Sequence, residues 1–330
     1  MPEHKSKSNE RTGLVVRNTG AHYVVELDGE TRNDGSPQEV NCRIKGNFRI
    51  KGIRTTNPVA VGDRVAISPS GPDGTAFITQ IIPRRNYIIR RSSNLSKAAH
   101  IIAANVDAAL LVVTLAHPTT STTFIDRFLA TAEAYNVKAI IAINKIDLLT
   151  APDDRELLDA VAYLYRSIGY EVVCVSARTG EGIEHLREML RDKITLFSGN
   201  SGVGKSTLIN DLIPGTEQRT AEISAAHDQG MHTTTFSEMF SLPDGGRIID
   251  TPGVRGFGTV EFDRREVAHF FPEIFEAGRG CRFSDCMHTG EPGCAVRQAV
   301  DESRIAGSRY SSYLNILEED ASGTDEKYRK

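Results

Sequence analysis

A chain of 330 residues, 39% hydrophobic and 25% charged, has the length for two or three domains and the composition of an ordinary globular protein. No uninterrupted apolar run approaches the ~20 residues that span a bilayer, and the polar stretch from Met1 to Arg11 reads as neither a secretory signal nor an anchor, so no membrane partner and a cytoplasmic place are expected. The net charge of −4 is unevenly spread: the first hundred residues carry 16 Lys and Arg against 9 Asp and Glu, which suits a polyanion such as nucleic acid but also fits chance clustering.

Residues 1–11 show no apolar period and read as disordered. Short β-rich runs follow, Gly13–Arg17, His22–Leu27, Val40–Ile50, Arg64–Ser68 and Thr75–Ile82. Turn residues such as Asn18-Thr19-Gly20 and Gly71-Pro72-Asp73-Gly74 separate them. Five short strands in so small a span predict a barrel of the oligonucleotide-binding type, with an SH3-like barrel as the alternative. Arg43, Lys45, Arg49, Lys51 and Arg54 are candidates for a basic stripe on it, or for a merely solvated strand face.

From about residue 104 buried strands alternate with helical segments. Val106–Thr114, Lys138–Asn144, Glu171–Ser176, Ile194–Ser198 and a strand ending at Arg247–Asp250 alternate with helices Phe124–Tyr135, Arg155–Ile168, Ile183–Leu190 and Lys205–Leu212. The pattern predicts an α/β domain with a mostly parallel sheet. Residues 262–320 read as helices interrupted by a Cys/His cluster. The expected organisation is a disordered N-terminus (1–11), an OB-fold barrel (12–85), a linker (86–103), an α/β domain (104–261) and a helical metal-binding domain (262–330).

Residues 199–207, Gly199-Asn200-Ser201-Gly202-Val203-Gly204-Lys205-Ser206-Thr207, contain the pattern G-x-x-x-x-G-K-[ST] between a strand and a helix. Glycines there let backbone N–H groups turn inward around phosphates, and the helix N-terminus adds positive potential. Lys205 is expected on the β- and γ-phosphates and the Ser206 hydroxyl on Mg²⁺. A glycine-rich turn with a surface lysine is the plain alternative.

The base is read elsewhere. Asn144-Lys145-Ile146-Asp147 follows a buried strand, and an Asp carboxylate there can accept from guanine N1 and N2, an arrangement adenine does not offer. Asn144 would brace the phosphate loop and the Lys145 stem would cover the ring. Ser176-Ala177-Arg178 follows the next strand, where the Ala177 N–H would meet guanine O6. Asp250-Thr251-Pro252-Gly253 ends another strand, with Asp250 expected on Mg²⁺ through water and the Gly253 N–H on the γ-phosphate. Within His232-Thr233-Thr234-Thr235, Thr234 is the expected second protein ligand of Mg²⁺. These are GTP-hydrolase motifs in permuted order, because the guanine reader precedes the phosphate loop. An ATP-driven phosphate-loop enzyme is the rival that Asp147 disfavours.

Five cysteines without a signal segment argue against a disulfide framework. Cys281, Cys286 and Cys294 with His288 supply a closed three-Cys, one-His set suited to a structural zinc, with packed thiols or a redox sensor as alternatives.

Together, the N-terminal barrel, Asn144–Asp147, Ser176–Arg178, Gly199–Thr207, His232–Thr235, Asp250–Gly253 and the Cys281/Cys286/His288/Cys294 set resemble the bacterial circularly permuted GTPases that depend on the small ribosomal subunit. The resemblance covers almost the whole chain. It implies a barrel of the OB type, GTP and GDP as ligands, and the 30S particle and its ribosomal RNA as partner. It further implies slow hydrolysis that the subunit stimulates, and help in releasing another maturation factor. Val254 stands where many small GTPases carry the glutamine that orients the attacking water. The resemblance suggests His232 for that role, with His227 as a substitute. A monomer is expected. The rival of a different class is an RNA-binding scaffold whose nucleotide site binds GTP without turning it over.

Overall fold

The structure, a computed structural model, describes residues 11–20, 22–44, 58–68, 74–91, 99–213, 237–250 and 263–325. The chain divides into two compact units, one of residues 1–107, 190–197 and 212–254, the other of 108–189, 198–211 and 255–330.

In the first unit, β1 (Arg11–Asn18), β2 (Tyr23–Thr31), β3 (Pro37–Ile44), β4 (Arg64–Ile67) and β5 (Ala76–Ile81) close a five-stranded barrel. β1 pairs with β2, β2 with β3, β3 with β5 in parallel, β5 with β4, and β4 again with β1. Closure removes the sheet edges, which is the arrangement expected of an OB-type barrel. Alternation along β2 sends Tyr23, Val25 and Leu27 inward, where they meet Val15, Val40, Cys42, Val65, Ile67 and Ile78. Each fully buried large aliphatic contributes about 1.5–3 kcal/mol. Gly62 (φ +91°) passes so near Ala104 that a Cβ would lie 2.0 Å from its carbonyl oxygen, so a side chain at this turn is excluded. Beside it, buried Asp63 receives Arg84 Nε and Nη2 (2.6 Å each) and the Ala60 N–H (2.8 Å). Residues 86–103, expected as a linker, contribute an antiparallel ribbon of β6 (Tyr87–Arg91) and β7 (Ala99–Ala104).

The same unit holds β12 (Ser237–Ser241), β13 (Arg247–Asp250) and most of β11 (Ile194–Gly199). β13 runs parallel to β11, with Phe197 opposite Asp250. β12 runs antiparallel to β13, and its first residues pair with barrel strand β1. Of the predicted strand Val40–Ile50, the part to Ile44 belongs to β3, and residues 45–50 lie outside the described residues.

The second unit contains three parallel strands, β8 (Ala108–Val113), β9 (Lys138–Ile143) and β10 (Glu171–Cys174), ordered β10-β9-β8. Ala108 to Val113 are all buried, which explains the unbroken apolar run. Helices α1 (Thr122–Ala134), α2 (Pro152–Ser167), α3 (Ile183–Leu190) and α4 (Lys205–Leu212) complete the α/β part. Ser121 caps α1, its hydroxyl accepting from the Phe124 N–H. Short helices α5 (Pro272–Gly278) and α6 (Ala295–Asp301) and the longer α7 (Gly307–Asp325) follow. Their core joins Val267, Phe271, Ile274, Val296, Ala299, Tyr313 and Ile316 to Ala130 of α1.

A charged hub sits in this unit. Arg309 of α7, fully buried, donates from Nη1 to Asp126 of α1 (2.9 Å) and from Nε and Nη2 to Glu273 of α5 (2.7 and 3.1 Å). Its guanidinium lies 4.5 Å over the Phe271 ring, and the Tyr165 hydroxyl donates to Asp126 (2.9 Å). Burial alone would lower the arginine's affinity for its proton. The Glu273 hydrogen bonds and the Asp126 charge outweigh burial and hold it charged.

Candidate functional site

Gly199 to Ser206 form the turn from β11 into α4, with Val203, Leu208 and Ile209 buried as its anchors. Asn200, Ser201, Ser206 and Thr207 are exposed on it. Two of its glycines are forced by close approach. A Cβ on Gly199 would meet the Val112 carbonyl oxygen at 2.7 Å, and one on Gly204 (φ +88°) the Asn144 amide nitrogen at 2.5 Å.

Asn144 directly follows β9 and is buried at 2% exposure. Its Nδ2 donates to the Val203 carbonyl (2.9 Å), and its Oδ1 accepts from the Ala177 N–H (3.1 Å). One side chain thus ties the phosphate-loop candidate to the Ser176-Ala177-Arg178 turn. Lys145 takes a left-handed backbone (φ +64°), and its Nζ donates to the carbonyls of His117 (2.6 Å) and Gly202 (2.7 Å). The Ile146 N–H bonds to the Val175 carbonyl (3.3 Å). Asp147 Oδ1 accepts from the buried Ser176 hydroxyl (2.7 Å), whose oxygen also accepts from the Thr179 N–H (3.1 Å). The remaining carboxylate oxygen lies 3.9 Å from Arg178 Nη1. The corner is therefore organised by its own hydrogen bonds, with one Asp147 oxygen braced from behind.

The motif pattern missed the segment between β8 and α1. The His117 carbonyl holds Lys145, and Pro118 touches the space above Gly202 at 3.5 Å. Buried Thr114 fixes this segment by donating from its hydroxyl to the Pro118 carbonyl (2.5 Å) and from its N–H to the Thr120 hydroxyl oxygen (3.1 Å). No short motif marks such backbone contacts.

Asp250 ends β13 in a buried position, opposite Glu238 on β12. His227, His232, Thr234, Gly253 and Val254 lie outside the described residues, as do Lys45, Arg49, Lys51 and Arg54. Arg43 is exposed on β3, its Nε donating to His22 Nδ1 (3.4 Å).

In the loop between α5 and α6, the candidate ligand atoms of Cys281, Cys286, His288 and Cys294 all lie within 4.8 Å of one another. His288 Nδ1 is 3.5 Å from both Cys281 Sγ and Cys294 Sγ. Three sulfurs and one imidazole nitrogen at this spacing fit a single tetrahedral ion, so the cluster could hold a metal. Gly278 leaves room for the ring, because a Cβ there would sit 3.2 Å from His288 Cε1. The loop is shaped from outside. Tyr310 and Tyr313 hydroxyls donate to the carbonyls of His288 (2.6 Å) and Met287 (2.9 Å). Glu291 accepts from the N–H groups of Met287, Thr289 and Gly290. Partial burial works against its charge, yet the backbone donors prevail and hold its pKa at about 2.

Two family models match the chain. The RsgA GTPase model covers residues 81–260 and the RsgA N-terminal domain model residues 12–78. Among curated relatives, a Bacteroides fragilis protein described as small ribosomal subunit biogenesis GTPase RsgA is 59% identical over 319 residues, covering 96% of this chain and 98% of its own. A Porphyromonas gingivalis protein of the same description is 56% identical over 321 residues, with the same coverage. Among solved structures, YjeQ from Thermotoga maritima aligns with a TM-score of 0.76 at 34% identity, over 95% of this chain and 99% of its own. YloQ, described as a circularly permuted GTPase, aligns at 0.73 and 29% identity, over 97% and 98%. The chain belongs to the RsgA GTPase family.

Proposed function

We propose that this chain hydrolyses GTP while bound to the small ribosomal subunit, and so serves late maturation of that particle in the cytoplasm, acting as a single chain. The observation that carries the reading is Asn144, whose amide bonds both the phosphate-loop candidate and the Ala177 turn. Despite their permuted order, the base-reading and phosphate-holding segments share one corner. The family's curated members are described as small ribosomal subunit biogenesis GTPases.

In this reading Asp147, braced by Ser176, accepts guanine N1–H and N2–H. The Ala177 N–H meets O6, and the Lys145 stem covers the base. Backbone N–H groups of Gly199 to Thr207 surround the phosphates, with Lys205 at the β- and γ-oxygens. Ser206 and Thr234 would hold Mg²⁺, with Asp250 reaching it through water. Mg²⁺ bound there would supply charge neutralisation for the transferred phosphoryl group. The Gly253 N–H senses the γ-phosphate. Val254 cannot orient water, so His232 does so, and intrinsic turnover is slow. The Cys281/Cys286/His288/Cys294 set would hold a zinc ion whose role is structural, since four protein ligands leave no open position. The OB-type barrel and the helical C-terminal segment contact ribosomal RNA, hydrolysis lets the protein leave, and its action helps release another maturation factor. The working division is 12–85 for the barrel, 86–103 for the connection, 104–261 for the GTPase part and 262–330 for the zinc part.

The test is GTP turnover by the purified protein with and without small subunits, with large subunits and ATP as controls. A rise specific to small subunits and GTP is expected. Equal rates in all conditions would sink the ribosomal part. Asp147→Asn should weaken GTP use and favour xanthosine triphosphate, whose C2 carbonyl accepts from the new amide. Unchanged base preference would remove Asp147 from the base-reading role.

A further inference from the structure

The two strands that adjoin the proposed γ-phosphate-sensing motifs, one following Thr234 and one preceding Thr251-Pro252-Gly253, are both tied to the barrel by charge. β12 begins at Ser237, three residues after Thr234 in sequence, and β13 ends at Asp250, directly before Thr251-Pro252-Gly253. Barrel strand β1 pairs with β12 through two residue pairs only, Arg17 with Glu238 and Asn18 with Ser237. At that contact Arg17 donates to Glu238 from Nε (3.0 Å) and Nη2 (2.5 Å). A second clamp joins β2 to β13, where Arg247 Nη1 donates to Glu26 Oε2 (2.8 Å) and Nη2 to Glu26 Oε1. The register completes the path, because Glu238 stands opposite Asp250 and Ser241 opposite Arg247. One row across the sheet therefore runs Arg17, Glu238, Asp250.

We infer that Arg17–Glu238 and Glu26–Arg247 are positioning pairs that couple barrel docking to the two nucleotide-sensing segments. Two features favour coupling over a plain structural tie. The clamps grip β12 and β13 at opposite ends, Glu238 near the start of one strand and Arg247 at the start of the other, so a tilt of the barrel shifts both together. Their side chains are half-buried, between 16 and 38% exposed, where an ion pair adds little net stability and can be remade at small cost. Coupling of this kind is reciprocal: if barrel contacts bias the sensing strands, the nucleotide must bias the barrel strands.

The partner side of this inference rests on the proposed ribosomal function, so the first readout needs no ribosome. Amide hydrogen exchange at residues 11–18 and 23–31 is compared with GDP and with a non-hydrolysable GTP analogue. The two states should differ in the unmodified protein. The difference should vanish in R17E and in E238R, and return in the double swap, as should its counterpart for E26R, R247E and their double swap. No nucleotide dependence in the unmodified protein would overturn the inference. In the second readout, single variants should keep basal turnover and subunit affinity within about twofold while subunit-stimulated turnover falls about tenfold, and the swap should restore it. Parallel loss of basal turnover would make the pairs purely structural, and full stimulation in the singles would also overturn the coupling. Nucleotide-dependent exchange without any stimulation of the unmodified protein by subunits would leave the clamps standing and sink the ribosomal reading instead.

Discussion

Arg309 and Arg17 both tie elements that are far apart in sequence, yet they do so in opposite physical regimes. Arg309 is fully buried, reaches two carboxylates and stacks on a ring, whereas Arg17 keeps 38% of its side chain exposed and reaches one. A buried charge that loses its partner has no water to turn to, so the first contact is all or nothing. A half-exposed pair exchanges protein for water at little cost. The hub is built to stay closed, and the clamp is built to be adjustable.

The largest effect that sharpens this contrast is metal removal. Cys294 belongs to the same core as Phe271 and Ile274 beside the hub. Chelation should lower the melting of that core by roughly ten degrees or more, corresponding to several kcal/mol, while exchange protection of β1 to β5 is unchanged. Next, Arg309→Ala should cost about 3–5 kcal/mol in urea unfolding, because Asp126 and Glu273 are left as buried unpaired charges. A loss under about 1 kcal/mol would place the hub in the same class as the clamps. Replacing Arg309, Asp126 and Glu273 together by Met, Leu and Leu, with Tyr165→Phe, should recover most of that loss.

A pH effect comes third. Glu291 sits at about 2 when folded, below the ordinary carboxylate value, so its stabilisation is complete above about pH 4.5 and lost as pH falls toward 2. Glu291→Gln should flatten the acid side of the stability curve in that window, and an unchanged slope would contradict the backbone cradle. The smallest effect is Arg17→Ala, expected to change stability by less than ~1 kcal/mol. Raising salt to 1 M, where the Debye length is ~3 Å, should erase even that difference and leave the Arg309→Ala loss almost intact.

That Asn144, Asp147, Ser176 and the Gly199–Ser206 turn would share one corner was legible because each is a fixed residue type at the end of a buried strand, whereas the Cys/His cluster showed itself by close spacing in sequence. The barrel strands showed themselves by alternation, and β8 and β9 by unbroken apolar runs. β12, Ser-Glu-Met-Phe-Ser, has no such signal, since its identity comes from pairing with β13 and β1 on either side. β6 and β7 were read as a linker because a polar stretch from Arg90 to Lys97 interrupts two short runs that find each other only by pairing. Arg309 sits in a polar stretch of α7 that gives no hint of burial, and Lys145 holds backbone carbonyls, which carry no sequence identity.

The clamps also set a timetable for the newborn chain. The pairings that close the barrel all fall between Arg11 and Ile81, but Arg247 lies 221 residues beyond Glu26. At about 5–20 residues per second, roughly 10 to 45 s of synthesis separate the two halves of that ion pair. Asn144 likewise awaits Val203, 59 residues downstream. During each round of translation the acidic and basic barrel groups face water before the strands they will hold exist, and Asn144 is made before the Val203 turn it will brace. These contacts can form only once synthesis has passed Val203 and Arg247, well after the barrel strands are complete.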